Sequence, residues 1–334
     1  MRRAAVLIVP VAALLVGCTA ADEPAAAPAA PGDGIVAERV LQVTEVHEAT
    51  GMTLLEGPVF GPDGELYVVD VTAPPGAGKV LGIDLEAGEA ETIHTDDSSA
   101  LTSAQIGPDG RLYATDFLSG SIRSMTLEGD DVRDEFSGAV DGVPMQPDDI
   151  DFGEDGALYV TDAAGARAPH WEATGRVVRI DPASGEATVL AAELPSPNGI
   201  AFTPEYDALW IGLNTGNRID RVTLNESGTE VATAFPAIYA SEGAAQVDSI
   251  AVDADGNLYV GLHGRPEILV YDTAGDLVTT VRIPSDEAAG LDSATNVAIA
   301  PGTTDAYATI SGADGGYLYA FEALADGITQ SNGG

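Results

Sequence analysis

The chain has 334 residues, of which 14 are Lys or Arg and 53 are Asp or Glu, so its formal net charge is −39. This excess of negative charge argues against charge-driven binding to nucleic acid or to an anionic membrane surface, and it favours cations as partners. The only cysteine is Cys18, which excludes disulfides, cysteine-ligated zinc and a cysteine nucleophile from the domain that follows it.

The N-terminal segment has the pattern of a secretory signal. Arg2 and Arg3 precede an apolar run over residues 4–16, which is shorter than the about 20 residues of a membrane-spanning helix. The run ends in Leu15-Val16-Gly17-Cys18, which resembles a bacterial lipobox. The resemblance implies that residues 1–18 are a lipoprotein signal peptide and that Cys18 carries the lipid, so that the protein contacts the outer face of the bacterial cell membrane through this anchor alone. The alternative is that Cys18 is a buried free cysteine.

Residues 19–34 are rich in Ala and Pro and have no apolar period. This composition is typical of a spacer between an anchor and a folded domain. We therefore expect the folded domain to occupy residues 35–334.

One short phrase recurs six times in that domain. The copies are Gly61–Tyr67, Gly107–Tyr113, Gly153–Tyr159, Thr203–Trp210, Asp253–Tyr259 and a weaker one at Ala300–Tyr307. Most contain an Asp-Gly pair between apolar runs, which predicts a β-hairpin. Two more strand-like runs follow each hairpin, so a repeat of about 40–50 residues supplies four strands. The sequence predicts an all-β fold, a six-bladed β-propeller with four strands per blade.

The last repeat ends one strand short, after Tyr317–Phe321. The segment Arg39–Val46 precedes the first repeat and has a strand pattern of its own. We expect it to supply the missing outer strand, which would close the ring and remove a free sheet edge.

Alignment of the copies shows one equivalent position at the start of each innermost strand. These positions are Glu56, Thr102, Asp148, Asn198, Asp248 and Thr295, with spacings of 46, 46, 50, 50 and 47 residues. The first strand of each blade lines the central channel, so these side chains are expected to converge there. Three carboxylates and one amide, with no His or Cys, are typical of a Ca²⁺ site, although another divalent cation would also fit.

Two other interpretations apply to acidic residues in this pattern. Asp and Asn also begin strands simply as turn residues, although four equivalent placements weaken that explanation. Asp253-Ala-Asp-Gly256 looks like part of an EF-hand loop but lacks its other ligands, which favours a hairpin turn.

Four segments carry a family resemblance. They are Glu56-Gly-Pro58, Pro147-Asp-Asp-Ile150, Pro197-Asn-Gly-Ile-Ala201 and Val247-Asp-Ser-Ile-Ala-Val252. They resemble motifs of the senescence marker protein/gluconolactonase family, in which Ca²⁺-loaded six-bladed propellers hydrolyse lactones. Asp148-Asp149, Ala208–Trp210 with Asn217-Arg218, and Pro301–Thr303 are most similar to the bacterial drug-responsive lactonase branch.

The resemblance implies Glu56, Asn198 and Asp248 as metal ligands, with Asp148 as the fourth where much of the family has Asn. Two positions depart from the family pattern. Ser249 stands where Gly is usual, and Thr102 offers only a hydroxyl. The shape of the pocket, and with it the substrate, therefore stays open.

Lactone opening needs a group that takes a proton from water and returns it to the ring oxygen. Asp148 is our first candidate because a carboxylate among other acids and a cation should have a perturbed pKa. Asp149 follows it in an alternating strand, so we expect it to point away and to be structural. His263, in a loop of the fifth repeat, is a second candidate for proton transfer.

Candidate substrate contacts come from the ring and from the loops. Thr102 and Thr295 belong to the ring, and Trp171 lies in the long loop 163–174 together with Arg167 and His170. Arg265 lies in the loop of His263, whereas His47 and His94 are expected away from the site. A surface position is the alternative for each loop residue.

The sequence thus predicts a Ca²⁺-dependent hydrolase that opens a lactone or related ester, a small-molecule substrate. No Gly-x-Ser-x-Gly nucleophile elbow is present. The alternative is a non-catalytic propeller that binds a ligand or protein around a structural metal.

Overall fold

The computed structural model describes residues 34–62, 64–166 and 168–331. Cys18, residues 1–33 and Arg167 lie outside the described residues. The described part is all-β apart from a 3-10 helix at Thr329–Ser331, which confirms the all-β part of the predicted fold class. None of its helices has the length and apolar character needed to cross a membrane.

The first twenty strands comprise β1 and β2, four antiparallel sheets of four strands each, and a two-stranded ribbon. In chain order they are β1 (Ile35–Val36) and β2 (Glu38–Thr44); the first sheet, β3 (Leu55–Phe60), β4 (Leu66–Asp70), β5 (Gly78–Asp84) and β6 (Glu89–Thr95); the second sheet, β7 (Leu101–Ile106), β8 (Leu112–Asp116), β9 (Ser121–Met125) and β10 (Arg133–Ser137); a ribbon of β11 (Ala139–Val140) and β12 (Val143–Pro144); the third sheet, β13 (Pro147–Phe152), β14 (Leu158–Asp162), β15 (Gly175–Ile180) and β16 (Ala187–Leu194); and the fourth sheet, β17 (Pro197–Phe202), β18 (Ala208–Leu213), β19 (Arg218–Leu224) and β20 (Val231–Tyr239).

The last seven strands join β1 and β2 in one nine-stranded sheet. They are β21 (Gln246–Val252), β22 (Leu258–His263), β23 (Glu267–Tyr271), β24 (Leu277–Arg282), β25 (Leu291–Ile299), β26 (Asp305–Gly312) and β27 (Gly315–Glu322). The repeat predicts six separate four-stranded sheets, whereas hydrogen bonding gives four plus this larger one. The reason is that β25 is long and pairs with the end of β22 through Ala294 and Ser293 before its bulge, as well as with β26.

The repeated phrases form the tight turns between the first two strands of each repeat. In the second sheet Gly107 donates its N–H to the Arg111 carbonyl at 2.9 Å, and Gly110 closes the turn with a φ of 77°. A left-handed conformation of this kind favours glycine, which explains the Asp-Gly pairs.

The hydrophobic core lies between the faces of neighbouring sheets. The aromatic residue of each phrase points into this space. Tyr113 packs edge-to-face on Phe152 at 5.1 Å between ring centroids, and Tyr159 packs on Phe202 at 4.8 Å, each pair joining two consecutive sheets. The inner strands such as β3 and β4 are therefore buried on both faces, which explains why they read as apolar runs, whereas outer strands such as β6 and β10 are largely exposed.

The first strands of the repeats contact one another in a closed series. β3 contacts β7, β7 contacts β13, and the series continues through β17, β21 and β25 back to β3. Six strands from distant parts of the chain therefore surround one axis, and their N-terminal ends meet on one side of it.

The N-terminal strand closes the last sheet, since β2 pairs antiparallel with β27. The Arg39 guanidinium lies 4.4 Å from the centroid of the Tyr317 ring and forms an ion pair with Glu287 at 3.0 Å. The pairing predicted for Arg39–Val46 is thus observed over Glu38–Thr44.

Deletion of residues 1–49 is expected to lower the free energy of unfolding by at least about 3 kcal/mol relative to deletion of residues 1–33. The longer deletion removes β1, β2 and the partly buried Val40, Leu41 and Val43, each worth about 1 kcal/mol or more. It also exposes the edge of β27. Urea unfolding of the two proteins measures the difference, and equal midpoints would contradict the closure.

Candidate functional site

Ring residues from five of the repeats line one cavity of about 310 Å³. Its lining consists of Leu54, Glu56, Val71, Thr102, Phe117, Asp148, Ala166, Ser196, Asn198, Asn214, Gln246, Asp248 and His263. All four predicted metal ligands are among them, together with Thr102 and His263. The structure thus brings together four predicted ligands that are up to 192 positions apart in the sequence.

Two simple positional rules account for the lining residues that the sequence did not predict, apart from Ala166 in the loop 163–174. Leu54, Ser196 and Gln246 each precede a ring residue by two positions, and alternation along an extended chain places such residues on the same side. Phe117 and Asn214 directly follow the second strands β8 and β18. Counting two residues back from each ring position would have found the first group.

Every first strand is interrupted by a β-bulge close to its ring residue. In β3, β13, β17 and β21 the pairing skips two residues: Glu56 to Val59, Pro147 to Ile150, Pro197 to Ile200 and Val247 to Ile250. A bulge re-aims side chains that a regular strand would send to alternate faces. The bulges are therefore the local device that turns the ring side chains toward the cavity.

Burial raises the pKa values of all three ring carboxylates, and neighbouring negative charge adds to the effect at Glu56 and Asp248. Burial raises the pKa of Glu56 well above its usual range, and the charges of Asp248 and Asp148 add to the effect. Burial, followed by the charge of Asp148, likewise raises the pKa of Asp248. The half-buried Asp148 has its pKa raised by desolvation to about 7.

The polar contacts around these carboxylates are few and long. The Asn198 amide donates to Asp148 Oδ2 at 3.4 Å, and the Ser249 hydroxyl donates to Asn198 Oδ1 at 3.4 Å. His263 Nδ1 lies 3.8 Å from Asp248 Oδ2 and 3.2 Å from the Ser293 hydroxyl. The imidazole thus stands beside a ring carboxylate at the edge of the cavity.

Asp149 lies inside the fold, behind Asp148, and does not line the cavity. Only 1% of its surface is exposed. Burial raises its pKa well above the usual range, although hydrogen bonds from Ser103 and Ser249 act to lower that pKa. Its charge also raises the pKa of Glu56. Alternation correctly separates Asp149 from the cavity, yet the bulge leaves it close enough to act on the ring electrostatically.

Threonine hydroxyls bind the backbone of the ring residues from the neighbouring sheet. Thr115 donates to the Asp148 carbonyl at 2.8 Å, and Thr161 donates to the Asn198 carbonyl at 2.5 Å. Thr295 does the same for Leu55 at 2.7 Å and is fully buried. The predicted substrate contact Thr295 is thus not among the residues that line the cavity, whereas Thr102, which donates to the Pro147 carbonyl at 3.2 Å, is among them.

Buried aspartates at the ends of second strands hold the chain just before the ring residues. Asp162 accepts the N–H of Gln146 at 2.8 Å and binds Arg176 through Nε at 2.8 Å. Asp116 accepts the N–H of Ala100 at 3.1 Å in the equivalent place. Gln146 and Ala100 each lie two residues before a ring position, so these carboxylates orient the ring.

The other candidate residues lie outside the cavity lining. Trp171 is 74% exposed and packs edge-to-face on His170, and Arg265 pairs with Glu242. His47 binds the buried Asp70 at 2.7 Å, and His94 lies on the outer strand β6. Neither of these two histidines lines the cavity, as expected, whereas a substrate contact for Trp171 stays a prediction.

Asp151 is a buried carboxylate on the same strand as Asp148 but outside the cavity. It accepts the N–H of Phe202 at 2.8 Å, and desolvation raises its pKa to about 7. The pKa of Asp in an unfolded chain is about 3.9, so between this pKa and the folded pKa of about 7 the folded state keeps a proton that the unfolded state has lost. The free energy of unfolding therefore falls as the pH rises through this range.

Between about pH 4 and about pH 7, Asp151 is expected to cost the wild type on the order of 4 kcal/mol of its free energy of unfolding. Asp151→Asn should abolish this loss. The measurement is urea unfolding across that range, with the exposed Asp255→Asn as the control. A pH profile for Asp151→Asn that parallels the wild type would contradict it.

The donor set suits a hard divalent cation in its chemistry. No group of three or more His, Cys, Asp or Glu side chains in the described ranges forms a metal site as it stands. The fourth donor here is an amide, however, and the three carboxylates carry uncompensated like charge in a largely buried cavity. Oxygen donors of this kind fit Ca²⁺, which accepts 6–8 of them.

Three comparisons with known proteins agree with this architecture. The chain is 28% identical over 254 residues to lactonase drp35 of Staphylococcus aureus strain MRSA252, which covers 75% of this chain and 76% of that protein. A solved gluconolactonase from Xanthomonas campestris has a TM-score of 0.67 at 20% identity, covering 86% of this chain and 98% of that chain. The calcium-binding protein regucalcin from Agrobacterium tumefaciens has a TM-score of 0.66 at 17% identity, covering 88% and 99%. The two structural likenesses concern the fold.

The family model described as SMP-30/Gluconolactonase/LRE-like region matches residues 54–309. This range includes all six ring positions and confirms the resemblance seen in the motifs. The chain belongs to the SMP-30/gluconolactonase/LRE-like family.

Proposed function

We propose that this protein is a six-bladed β-propeller that hydrolyses a lactone or related ester at a divalent-cation site, with Ca²⁺ as the cation. The observation that carries the proposal is the convergence of Glu56, Asp148, Asn198 and Asp248 on one cavity. The closed series of first strands supports six blades, with the nine-stranded sheet counted as two of them. The names of the similar proteins, a lactonase and a calcium-binding protein, support the reaction and the cation.

Glu56, Asp148, Asn198 and Asp248 would hold the cation, since they supply all the carboxylates of the cavity lining. When bound, such an ion polarises a carbonyl and lowers the pKa of coordinated water. The cavity walls leave room for a small ring, with Leu54, Val71 and Phe117 as its apolar side.

Asp148 takes the proton from the attacking water and returns it to the ring oxygen as the C–O bond breaks. In the cation-free protein desolvation raises the pKa of its half-buried carboxyl to about 7, and a bound cation would lower that pKa and favour the ionised form that accepts a proton from water. His263 lies at the edge of the same cavity and is the second group able to move a proton. Thr102 is placed to contact the substrate.

The test is hydrolysis of a panel of lactones and simple esters by the folded domain, with and without a chelator. Turnover that the chelator abolishes and Ca²⁺ restores would support the proposal. Binding of Ca²⁺ without turnover of any lactone would favour the non-catalytic ligand-binding alternative. Turnover that the chelator leaves unchanged would contradict cation dependence.

We further propose that residues 1–18 are a lipoprotein signal peptide, that Cys18 anchors the chain to the cell membrane, and that residues 19–34 link it to the propeller at 35–334. The lipobox pattern supports this assignment. Cys18→Ser is expected to release the protein from the membrane fraction or to block its processing, which immunoblotting of fractionated cells measures. An unchanged membrane fraction would rule the anchor out.

A further inference from the structure

The cavity of the proposed site is lined by acidic side chains, and no lysine or arginine among the described residues lines it. Glu56, Asp148 and Asp248 line it, and His263 is its only lining side chain with a basic nitrogen. The remaining polar lining residues, Asn198 and Asn214 among them, are uncharged. An anionic substrate would find no arginine or lysine there to pair with.

The described basic residues are all engaged elsewhere. Lys79 is buried and donates to the Ser99 carbonyl at 2.8 Å. Every described arginine forms an ion pair with at least one carboxylate: Arg39, Arg111, Arg123, Arg133, Arg176, Arg179, Arg218, Arg221, Arg265 and Arg282. None of them is therefore available to neutralise the cavity.

A bound divalent cation would not reverse the sign of the local charge. When Glu56, Asp148 and Asp248 are ionised, as carboxylate ligands of a divalent cation are, their three negative charges exceed its two positive charges, and the buried Asp149 stands behind the ring. The chain as a whole carries a formal charge of −39. Low-dielectric walls focus such a field in a cleft, where it acts on charged ligands.

Resting on the proposed function, we propose that the cavity selects uncharged lactones against lactones that carry a carboxylate or phosphate, and that the same field expels the product. In the reaction the water oxygen bonds to the carbonyl carbon, the ring C–O bond breaks, and the ring oxygen takes up a proton as a hydroxyl group. The new carboxylic acid then loses a proton. A neutral lactone and water thus become a hydroxy acid anion and H⁺.

Substrate and product therefore interact differently with the charges of the site. The substrate enters without electrostatic cost, whereas the product anion meets carboxylates of the same sign. Like-charge contacts of this kind suppress binding strongly, and salt screens them. Product release should therefore be fast and product inhibition weak, most of all at low ionic strength.

The test compares two γ-lactones that differ only in a side group, one carrying a methyl ester and one the free carboxylate. At about 0.02 M salt, kcat/KM for ring opening should favour the methyl ester by at least about tenfold, and the ratio should narrow at about 0.5 M salt. Calorimetric binding of the hydroxy acid product and of its neutral amide analogue gives the same comparison without catalysis. Arg167, which lies outside the described residues, is changed to Ala in a parallel set so that its charge does not contribute.

A variant with an added positive charge in the lining makes the test more specific. Gln246→Lys places a cation in the lining and should tighten binding of the hydroxy acid about tenfold, whereas Gln246→Met, of similar length, should not. A hydroxy acid that binds the wild type as tightly as its amide, with no salt dependence, would overturn the proposal even if Gln246→Lys fails to fold. If no lactone is turned over, the proposed function fails, and the calorimetric comparison still decides whether the cavity rejects anions.

Discussion

Asp148→Asn is expected to lower lactone turnover by about 10²–10⁴-fold, the usual contribution of a general acid–base group. The amide keeps an oxygen that can bind a cation but cannot take a proton from water. The backbone position should be retained, because Thr115 binds the carbonyl of residue 148 and not its side chain. Affinity for Ca²⁺ should therefore fall much less than kcat.

The experiment measures kcat for the preferred lactone and, separately, the Kd for Ca²⁺ by calorimetry. Asp151→Asn is the matched control, since Asp151 lies on the same strand with a similarly raised pKa but outside the cavity. Full turnover by Asp148→Asn would show that the proton-transfer role is wrong, and His263→Ala would then be the variant to measure.

Glu56→Gln and Asp248→Asn are expected to weaken Ca²⁺ binding and to lower turnover together, with partial recovery in excess Ca²⁺. Each substitution removes one of the negative charges that the donor set offers. In the cation-free protein, by contrast, both substitutions should raise the free energy of unfolding. Both carboxyls have raised pKa values, so their ionisation opposes folding as pH rises, and the amides should make the cation-free protein more stable at about pH 8.

Urea unfolding with and without Ca²⁺ measures both parts of this prediction. A ligand at about 100 times its Kd stabilises the folded state by about 2.7 kcal/mol, so the wild type should gain that amount and the variants much less. Asn198→Ala should weaken binding of the cation without stabilising the cation-free protein, because the substitution removes no charge. Equal Kd values for the wild type and all these variants would exclude the cavity as the cation site.

The sequence by itself determined the elements and the ring. The phrase with its Asp-Gly turn recurs often enough to locate each hairpin, because a tight turn demands particular residues at fixed offsets. Alignment of the copies then identified Glu56, Asp148, Asn198 and Asp248 as equivalent, since equivalent positions in a repeated structure occupy equivalent places. The repeats also predict the role of β2, because an unassigned strand pattern precedes the first repeat and the last repeat lacks one strand.

The tertiary structure decided what depends on contacts between repeats. Thr102 and Thr295 are equivalent in sequence, and each donates its hydroxyl to a carbonyl of the next sheet, yet only Thr102 lines the cavity, since Thr295 is fully buried whereas Thr102 keeps 8% of its surface exposed. No pattern in the sequence predicts the pairing of β22 with β25 or the bulges beside the ring residues. They arise where neighbouring strands meet at the axis, and that local packing sets which side chains reach the cavity and how strongly their charges act on one another.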